Sequence, residues 1–464
     1  MSDPLSTGLG LPQGITSDLQ YTNKAIAPKG RVYESVVNPS NASSFAASSM
    51  AVIELPSARS GSYLDGKSLA LRFTVTWTIS GTDTTNYLSI ADMANSFIDS
   101  ITLYCGGAVI ETISNYSDIA NLMMNLAMSS SQKANLGSVI GADSNGSVYG
   151  HTFDVSTAGT YKRTFVLPLM SFLSSTKMID LSEILSGLRF EITFASQANS
   201  YYIWKTAQGT SGANTATHTI TDVGLIHSIV ELDQSGVAMV NAMKSDQGTL
   251  YFGRSFRNSQ FSLTAAGDQT IPGNNRLSSI VAAYARFRTK STATNANPRS
   301  SANPNAGYYN WRFGSVQFPQ RNVNLDTNDG GYAHAYRNLL QSVNSWATPA
   351  SGCALGFLPP ATVTTSVPTV ASASSYYNTR EGGAVTGSGI LDDALGFGTF
   401  AIGQDLELFA NRSDVLLSGV STLASPFYLN LNVLTAPSAT CLVDIWAHHD
   451  LIMVVRNGQV QVIV

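Results

Sequence analysis

Residues 68–79 read Ser68-Leu-Ala-Leu-Arg-Phe-Thr-Val-Thr-Trp-Thr-Ile79. Leu69, Leu71, Phe73, Val75, Trp77 and Ile79 share one parity, while Ala70, Arg72 and three threonines hold the other. A strand turns successive side chains to opposite faces, so this pattern predicts a half-buried strand with one apolar face. Leu188-Arg-Phe-Glu-Ile-Thr-Phe194 alternates in the same way. Further β-type runs are Ala51–Leu55, the long or broken run Thr219–Leu232, Gln260–Leu263, Leu277–Phe287, Tyr309–Gln317, Phe400–Leu408, Phe427–Leu434 and Cys441–Val455. Ile101–Glu111 predicts a hairpin with Gly106-Gly107 in its turn. Helical patterns are few. One, at about 117–128, has Ser117 as its cap and Ile119, Leu122, Met123 and Leu126 as its apolar face. Another covers about 330–343, and Met170–Leu173 suggests a single turn.

The two halves of the chain echo each other. In each, β-runs precede a helix, then an alternating strand, then a long paired run. Leu188–Phe194 corresponds to Phe427–Leu434, and 219–232 to 441–455. The offsets are similar but unequal, as for a diverged duplication. The 464 residues also suit two domains of about 200 residues each. The expected organisation is an N-terminal arm over 1–50, a first β domain over 51–233, a linker over 234–246 holding a short helix, and a second β domain over 247–464. Residues 1–50 are rich in Gly, Pro, Ser and Asn, so they read as a segment ordered by a partner or not at all. The polar stretches 291–307 and 359–388 read as surface loops.

Charged residues are 12% of the chain, about half the usual ~25%, and the net charge is −4. A disordered chain would be less hydrophobic than 44%, and a nucleic-acid binder would usually be basic. A polar but uncharged surface is poorly protected against association, so it suits a protein that assembles. Cys105, Cys353 and Cys441 form no C-x-x-C pair and read as buried thiols made in a reducing compartment. Met1–Gly30 has no apolar signal-peptide core, and no apolar run is long enough to span a membrane. The N-x-[ST] sequons at Asn41, Asn115, Asn145 and Asn411 are read as chance matches.

No catalytic constellation stands out. Ser174-Ser-Thr-Lys177 matches S-x-x-K without its companion motifs. His448-His449-Asp450 is the one ligand-like cluster. Adjacent strand residues face opposite sides, so a strand-end or turn role is expected for it and no metal. Carboxylates pair at Asp392-Asp393 and at Asp405/Glu407, the latter read as a solvated strand face. Arg286, Arg288, Lys290, Arg299, Arg312 and Arg321 lie among Tyr308, Tyr309 and Trp311. A nucleic-acid surface would have this composition. The alternation of Tyr309, Trp311 and Phe313 favours a packed strand face instead. No catalytic, cofactor or metal residue is assigned.

The order of these motifs resembles the double-jelly-roll major capsid proteins of DNA viruses, of the polinton-like virus, adintovirus and virophage type. The resemblance rests on Ser62-Tyr-Leu-Asp65 before the Leu69–Ile79 strand, and on Asn95-Ser-Phe-Ile-Asp-Ser-Ile-Thr-Leu-Tyr with Gly106-Gly, Ile110-Glu-Thr-Ile and Asn115-Tyr. It continues through Leu167-Pro-Leu before Gly187-Leu-Arg-Phe-Glu-Ile. In the second half it takes in Trp311-Arg-Phe-Gly-Ser-Val-Gln-Phe-Pro319 with the Tyr332–Leu340 helix, Ile402-Gly-Gln-Asp-Leu-Glu407 and Leu417-Ser-Gly419. It implies an all-β fold of two tandem eight-stranded antiparallel jelly rolls with short helices in the loops. It also implies a non-enzymatic shell subunit without cofactors, forming homotrimeric, pseudo-hexagonal capsomers of an icosahedral virion. The implied partners are other copies of the chain, then penton and minor capsid proteins. An internal membrane is left open, and no sequence-specific nucleic-acid binding is implied. On this reading residues 1–50 would clamp neighbouring capsomers and the two long loops would form the outer crown. The competing readings are a carbohydrate-binding or receptor-binding β-sandwich, viral or at a cell surface, and a polysaccharide hydrolase using Asp405 and Glu407.

Overall fold

A computed structural model describes residues 29–81, 86–142, 152–205, 214–244, 248–289, 298–299, 301, 303–325, 332–343, 400–407, 417–437, 441–456 and 458–464. Strand follows strand through two sandwiches. The first contains β1 (Gly30–Val37), β2 (Ser44–Ala46), β3 (Met50–Leu55), β4 (Ser62–Ser80), β5 (Asn86–Ile90), β6 (Ile98–Cys105) and β7 (Ala108–Ser114). It is completed by β8 (Thr152–Asp154), β9 (Gly159–Pro168), β10 (Ile179–Asp180), β11 (Leu188–Phe194), β12 (Tyr201–Lys205) and β13 (Thr215–Leu232). The second contains β14 (Thr249–Leu263), β15 (Gly267–Gly273), β16 (Ile280–Thr289), β17 (Ala306–Phe313), β18 (Val316–Asn324), β19 (Ala401–Asp405), β20 (Phe427–Val433), β21 (Cys441–Arg456) and β22 (Gln459–Ile463).

The duplication read from element order is present in the sheets. One pair of sheets runs β1-β13-β4-β10 and β14-β21-β16-β19; the other pair runs β3-β11-β6-β7 and β15-β20-β17-β18. Eight strands of each sandwich therefore correspond, in the same chain order and the same neighbour order, all pairing antiparallel. A helix, Tyr116–Ala127 in the first and Tyr332–Ser342 in the second, follows the corresponding hairpin in each. The alternating runs are the central strands: β11 and β20 both bury every second residue. Trp77, Phe73, Phe97 and Phe165 fill the first sandwich, and Trp311, Tyr309 and Trp446 are wholly buried in the second.

The structure also revises several expectations. Within the stretch read as an arm, β1 pairs with β13 over its whole length and β2 pairs with β13 beyond it, so residues 30–50 belong to the first sandwich. Their polar composition hid them, because an edge strand needs few apolar side chains. The Tyr116 helix begins from Asn115, which holds a left-handed backbone at φ 48°, and Ser117 lies buried inside the first turn. Asparagine tolerates that conformation better than most residues. Tyr309–Gln317 is two strands, because Gly314 turns the chain at φ 58° between β17 and β18. Residues 306 and 307 of the first long loop already belong to β17, while the 359–388 loop lies outside the described residues. The linker helix is observed as Gln234–Met243, capped by Asp233, whose side chain accepts from Gly236 N at 2.8 Å. Cys105 is a buried free thiol and Cys441 is also buried; Cys353 lies outside the described residues.

Two histidines of the first sandwich, His218 and His227, are buried. His218 lies 5.4 Å from Phe97 and 5.5 Å from Tyr201, edge-on to both, and burial lowers its pKa from 6.5 to about 4. The fold therefore holds it neutral, whereas the unfolded chain protonates it near 6.5. Its contribution is complete above that pH and is lost as the pH falls toward about 4. His218→Phe keeps the aromatic packing and removes the proton uptake. Thermal unfolding at pH 7 and pH 5 is expected to show the variant losing about 2 kcal/mol less stability than the parent over that interval.

Candidate functional site

The densest polar chemistry lies along the seam between the two sandwiches. Edge strand β7 of the first packs against edge strand β14 of the second. Asp118, in the first turn of the Tyr116–Ala127 helix, is fully buried there. Its carboxylate meets Arg299 Nη1 at 2.8 Å, Arg286 Nη1 at 3.3 Å and Arg288 Nη1 at 3.4 Å, all from the second sandwich. Arg288 also donates to Asp444 on β21, through Nη2 at 2.7 Å and Nε at 3.0 Å. The other oxygen of Asp444 accepts from Asn115 Nδ2 at 2.7 Å and Gln260 Nε2 at 2.9 Å. The left-handed backbone at Asn115 thus serves the seam: its side chain reaches across to the second sandwich instead of capping its own helix.

Burial opposes the charge on Asp118, but the guanidiniums of Arg288, Arg299 and Arg286 outweigh it and hold the carboxyl below the usual range. Burial likewise opposes the charge on Arg288, and Asp118 and Asp444 outweigh it and push its pKa up. Arg299 is lowered, with burial the largest cause.

A second cluster has no cation among the described residues. Glu111 of β7 accepts from Ser255 Oγ of β14 at 2.7 Å, from Phe172 N at 2.9 Å and from Ser171 Oγ. Burial pushes its carboxyl up, against those hydrogen bonds. The short Phe172–Ser175 helix that supplies two of these donors crosses β4 at Gly66. A side chain at Gly66 would lie 1.8 Å from the Leu173 carbonyl oxygen, so only glycine fits. At one end of the seam Lys244 Nζ bridges Asp180 at 2.6 Å and Glu183 at 2.7 Å.

The residues singled out from sequence fall into place around this seam. Arg286, Arg288 and Arg299 are its buried cations and not a nucleic-acid surface; Arg321 is exposed on β18. Tyr309, Trp311 and Phe313 form a packed strand face, as their alternation suggested. His448, His449 and Asp450 lie in the interior of β21, not at a strand end. His448 stacks on Phe256 with centroids 4.4 Å apart, and burial lowers its pKa to about 3 and that of His449 to about 4. Glu407 is not solvated: it takes Arg254 Nη2 at 2.6 Å, and Arg254 Nε reaches Asp450 at 3.2 Å. Asp405 is pushed up, first by burial and then by Glu407 beside it. Ser174 and Ser175 belong to the helix that crosses Gly66. Asp392-Asp393 and Lys290 lie outside the described residues. Among the described residues no three His, Cys, Asp or Glu side chains converge on a metal-sized site.

Asp118, Asp444 and Glu111 were missed from sequence because their partners are remote, 60 residues or more away for Glu111 and more than 140 for the two aspartates. One local signal was available. Arg286 and Arg288 interrupt the apolar run Val281-Ala-Ala-Tyr-Ala-Arg-Phe-Arg288, and charges within such a run require buried counter-charges.

Asp118→Asn keeps the shape and leaves three guanidiniums without their carboxylate. A loss of about 3–5 kcal/mol in denaturant-induced unfolding is expected.

Residues 33–217 match the family model described as "Major capsid protein N-terminus". No curated protein sequence matches the chain. Among solved structures, the VP54 protein of PBCV-1, fitted into a reconstruction of the virophage Sputnik, is similar over 96% of this chain and 98% of its own, with a TM-score of 0.60 at 11% identity. The faustovirus major capsid protein is similar over 97% and 96%, with a TM-score of 0.59 at 9% identity. The mavirus major capsid protein is similar over 98% and 94%, with a TM-score of 0.52 at 14% identity. The fold is therefore the double jelly roll.

Proposed function

We infer that the chain is the major capsid protein of an icosahedral DNA virus, a structural component of the virion with no enzymatic role. The fold and the family match over residues 33–217 support this reading. The finer proposal concerns how copies associate, and one observation carries it: each sandwich leaves unused the edge that its counterpart uses. The seam joins β7 of the first sandwich to β14 of the second. By the duplication, β1 is the counterpart of β14, and β18 is the counterpart of β7. β14 is largely covered at the seam, whereas β1 is exposed along most of its length, with Val32 67% and Val36 40% exposed. β18 likewise exposes Val316, Gln320, Arg321 and Asn322.

Repeating the internal contact from β18 of one copy to β1 of the next is a head-to-tail association, which closes into a ring if the rotation allows. Three chains of two sandwiches give six units, hence a homotrimeric capsomer of pseudo-hexagonal outline. The contact between copies would lack the charged core of the seam, because the Tyr332–Ser342 helix contains no carboxylate to stand where Asp118 stands. It would therefore rest on edge and apolar contacts.

Electron microscopy and light scattering of the purified protein test the reading. Hexagonal trimers or shells are expected; a stable monomer with glycan affinity would sink it. The double variant Val32→Glu, Val36→Glu is expected to dissociate trimers to monomers while leaving the circular-dichroism spectrum and melting of the monomer nearly unchanged, because both side chains already face solvent.

A further inference from the structure

The outer face of the β15-β20-β17-β18 sheet has a polar order that the fold does not require. Tyr309, Trp311 and Phe313 of β17 and Leu429 and Leu431 of β20 turn inward and are buried, so the residues between them face outward. A row of amides crosses the middle of that face. Thr270 Oγ1 donates to Asn430 Oδ1 at 3.1 Å, Asn430 Nδ2 to Asn310 Oδ1 at 2.9 Å, and Asn310 Nδ2 to Asn322 Oδ1 at 2.8 Å. Each bond runs in the same direction, strand by strand from β15 to β18. On one side of the row Asp268 accepts from Asn432 Nδ2 at 2.6 Å and from Tyr308 Oη at 2.8 Å, and these bonds hold its carboxyl below the usual range. On the other side Tyr428 stands opposite Arg312.

Asparagine is depleted in strands, yet Asn310, Asn322, Asn430 and Asn432 all hold strand positions here. The duplication shows that the sheet does not need them. In the first sandwich Glu191 and Thr102 stand where Asn430 and Asn310 stand, paired across the same two strands. Arg189 lies over the Tyr104 ring at 4.4 Å and meets Glu191 at 3.1 Å. None of the four strands β3, β6, β7 and β11 contains an asparagine or a glutamine.

An amide group has two N–H donors and two acceptor lone pairs, and the row uses one of each at Asn430. Asn322 accepts from Asn310 and also from Gln317 Nε2 at 3.2 Å, so its bonds in the row leave its own N–H groups for other partners. Asn310, 6% exposed, fixes both neighbours in place. The outward amides are thus oriented before any ligand arrives, which lowers the entropy cost of binding. Half-buried Tyr308 and Tyr428 flank the row, about 14 Å apart by strand geometry. These three rows contain one carboxylate and one guanidinium, Asp268 and Arg312, so they are neutral together. A nucleic acid would need several cations for its phosphates. An uncharged sugar matches the face: its hydroxyls both donate and accept, and its apolar ring faces pack on tyrosine.

We propose that this face binds a short neutral oligosaccharide, lying flat across the amide row between Tyr308 and Tyr428. The inference goes beyond the capsid reading and does not depend on it. A flat site of this kind binds weakly in one copy, and several copies in an assembly bind by avidity.

An array of neutral oligosaccharides, with sialylated and sulfated ones printed beside them, tests the proposal on the purified full-length protein. Retention of neutral glycans is expected, insensitive to salt. The variants Tyr428→Ala, Asn322→Ala and Asn430→Asp should each weaken it at least tenfold with unchanged circular dichroism. Should Asn430→Asp fail to fold, the other two, at less buried positions, decide. Thr102→Ala and Thr193→Ala, on the equivalent face of the first sandwich, should leave binding unchanged. No neutral glycan retained, binding untouched by the three variants, or retention of acidic glycans alone that falls with salt would overturn it. So would association between copies that these variants abolish without any glycan binding, since the face would then dock a second copy. Microscopy of the same samples reads the capsid assignment separately: trimers that bind no glycan leave it standing, and monomers that bind glycan do not.

Discussion

A single buried carboxylate, Asp118, holds the two sandwiches in register. Three guanidiniums converge on it from elements of the second sandwich, and none of the three has enough exposure to turn to water instead. An ion cluster of this kind adds little net stability over an apolar core, because desolvation consumes most of the attraction. Its effect lies in what it forbids. Any other alignment of the sandwiches would strand buried charges at a cost of several kcal/mol each, so only one alignment is tolerated. Glu111 and the Lys244 bridge extend this constraint along the seam, and the Phe172–Ser175 helix can reach Glu111 only because Gly66 lets it lie directly on β4.

The same asymmetry separates the inside of the chain from its outside. Two similar sandwiches present equivalent edges, yet only the internal pair is locked by charge. The free edges at β1 and β18 are polar or modestly apolar, with Val32, Val36 and Val316 exposed. This division fits a subunit whose halves must never slide and whose contacts with other copies form later. The low charge of the chain belongs to the same logic: 12% charged residues, several of them consumed by the seam, leave a surface with little repulsion between identical copies.

Much of the fold was legible locally. β11 and β20 show in their burial the alternation that Leu188–Phe194 and Phe427–Val433 show in their letters, and the hairpin at Gly106-Gly107 follows from glycines at φ 58° and 87°. β1 escaped notice because its burial is slight and its side chains are mixed; its place depends on hydrogen bonds to β13, some two hundred residues away. The basic stretch from Arg286 was read for its composition, and composition cannot say which way a charge points.

The sequence by itself determined the class of structure, its division into two like halves and the absence of a charge-driven surface, because periodicity and composition are local quantities that each strand satisfies alone. Only the tertiary structure decided which edges meet and which charges lie between them. Asp118 and Arg286 are 168 residues apart, and a counter-charge at that separation exists only once both sandwiches have folded and closed on it.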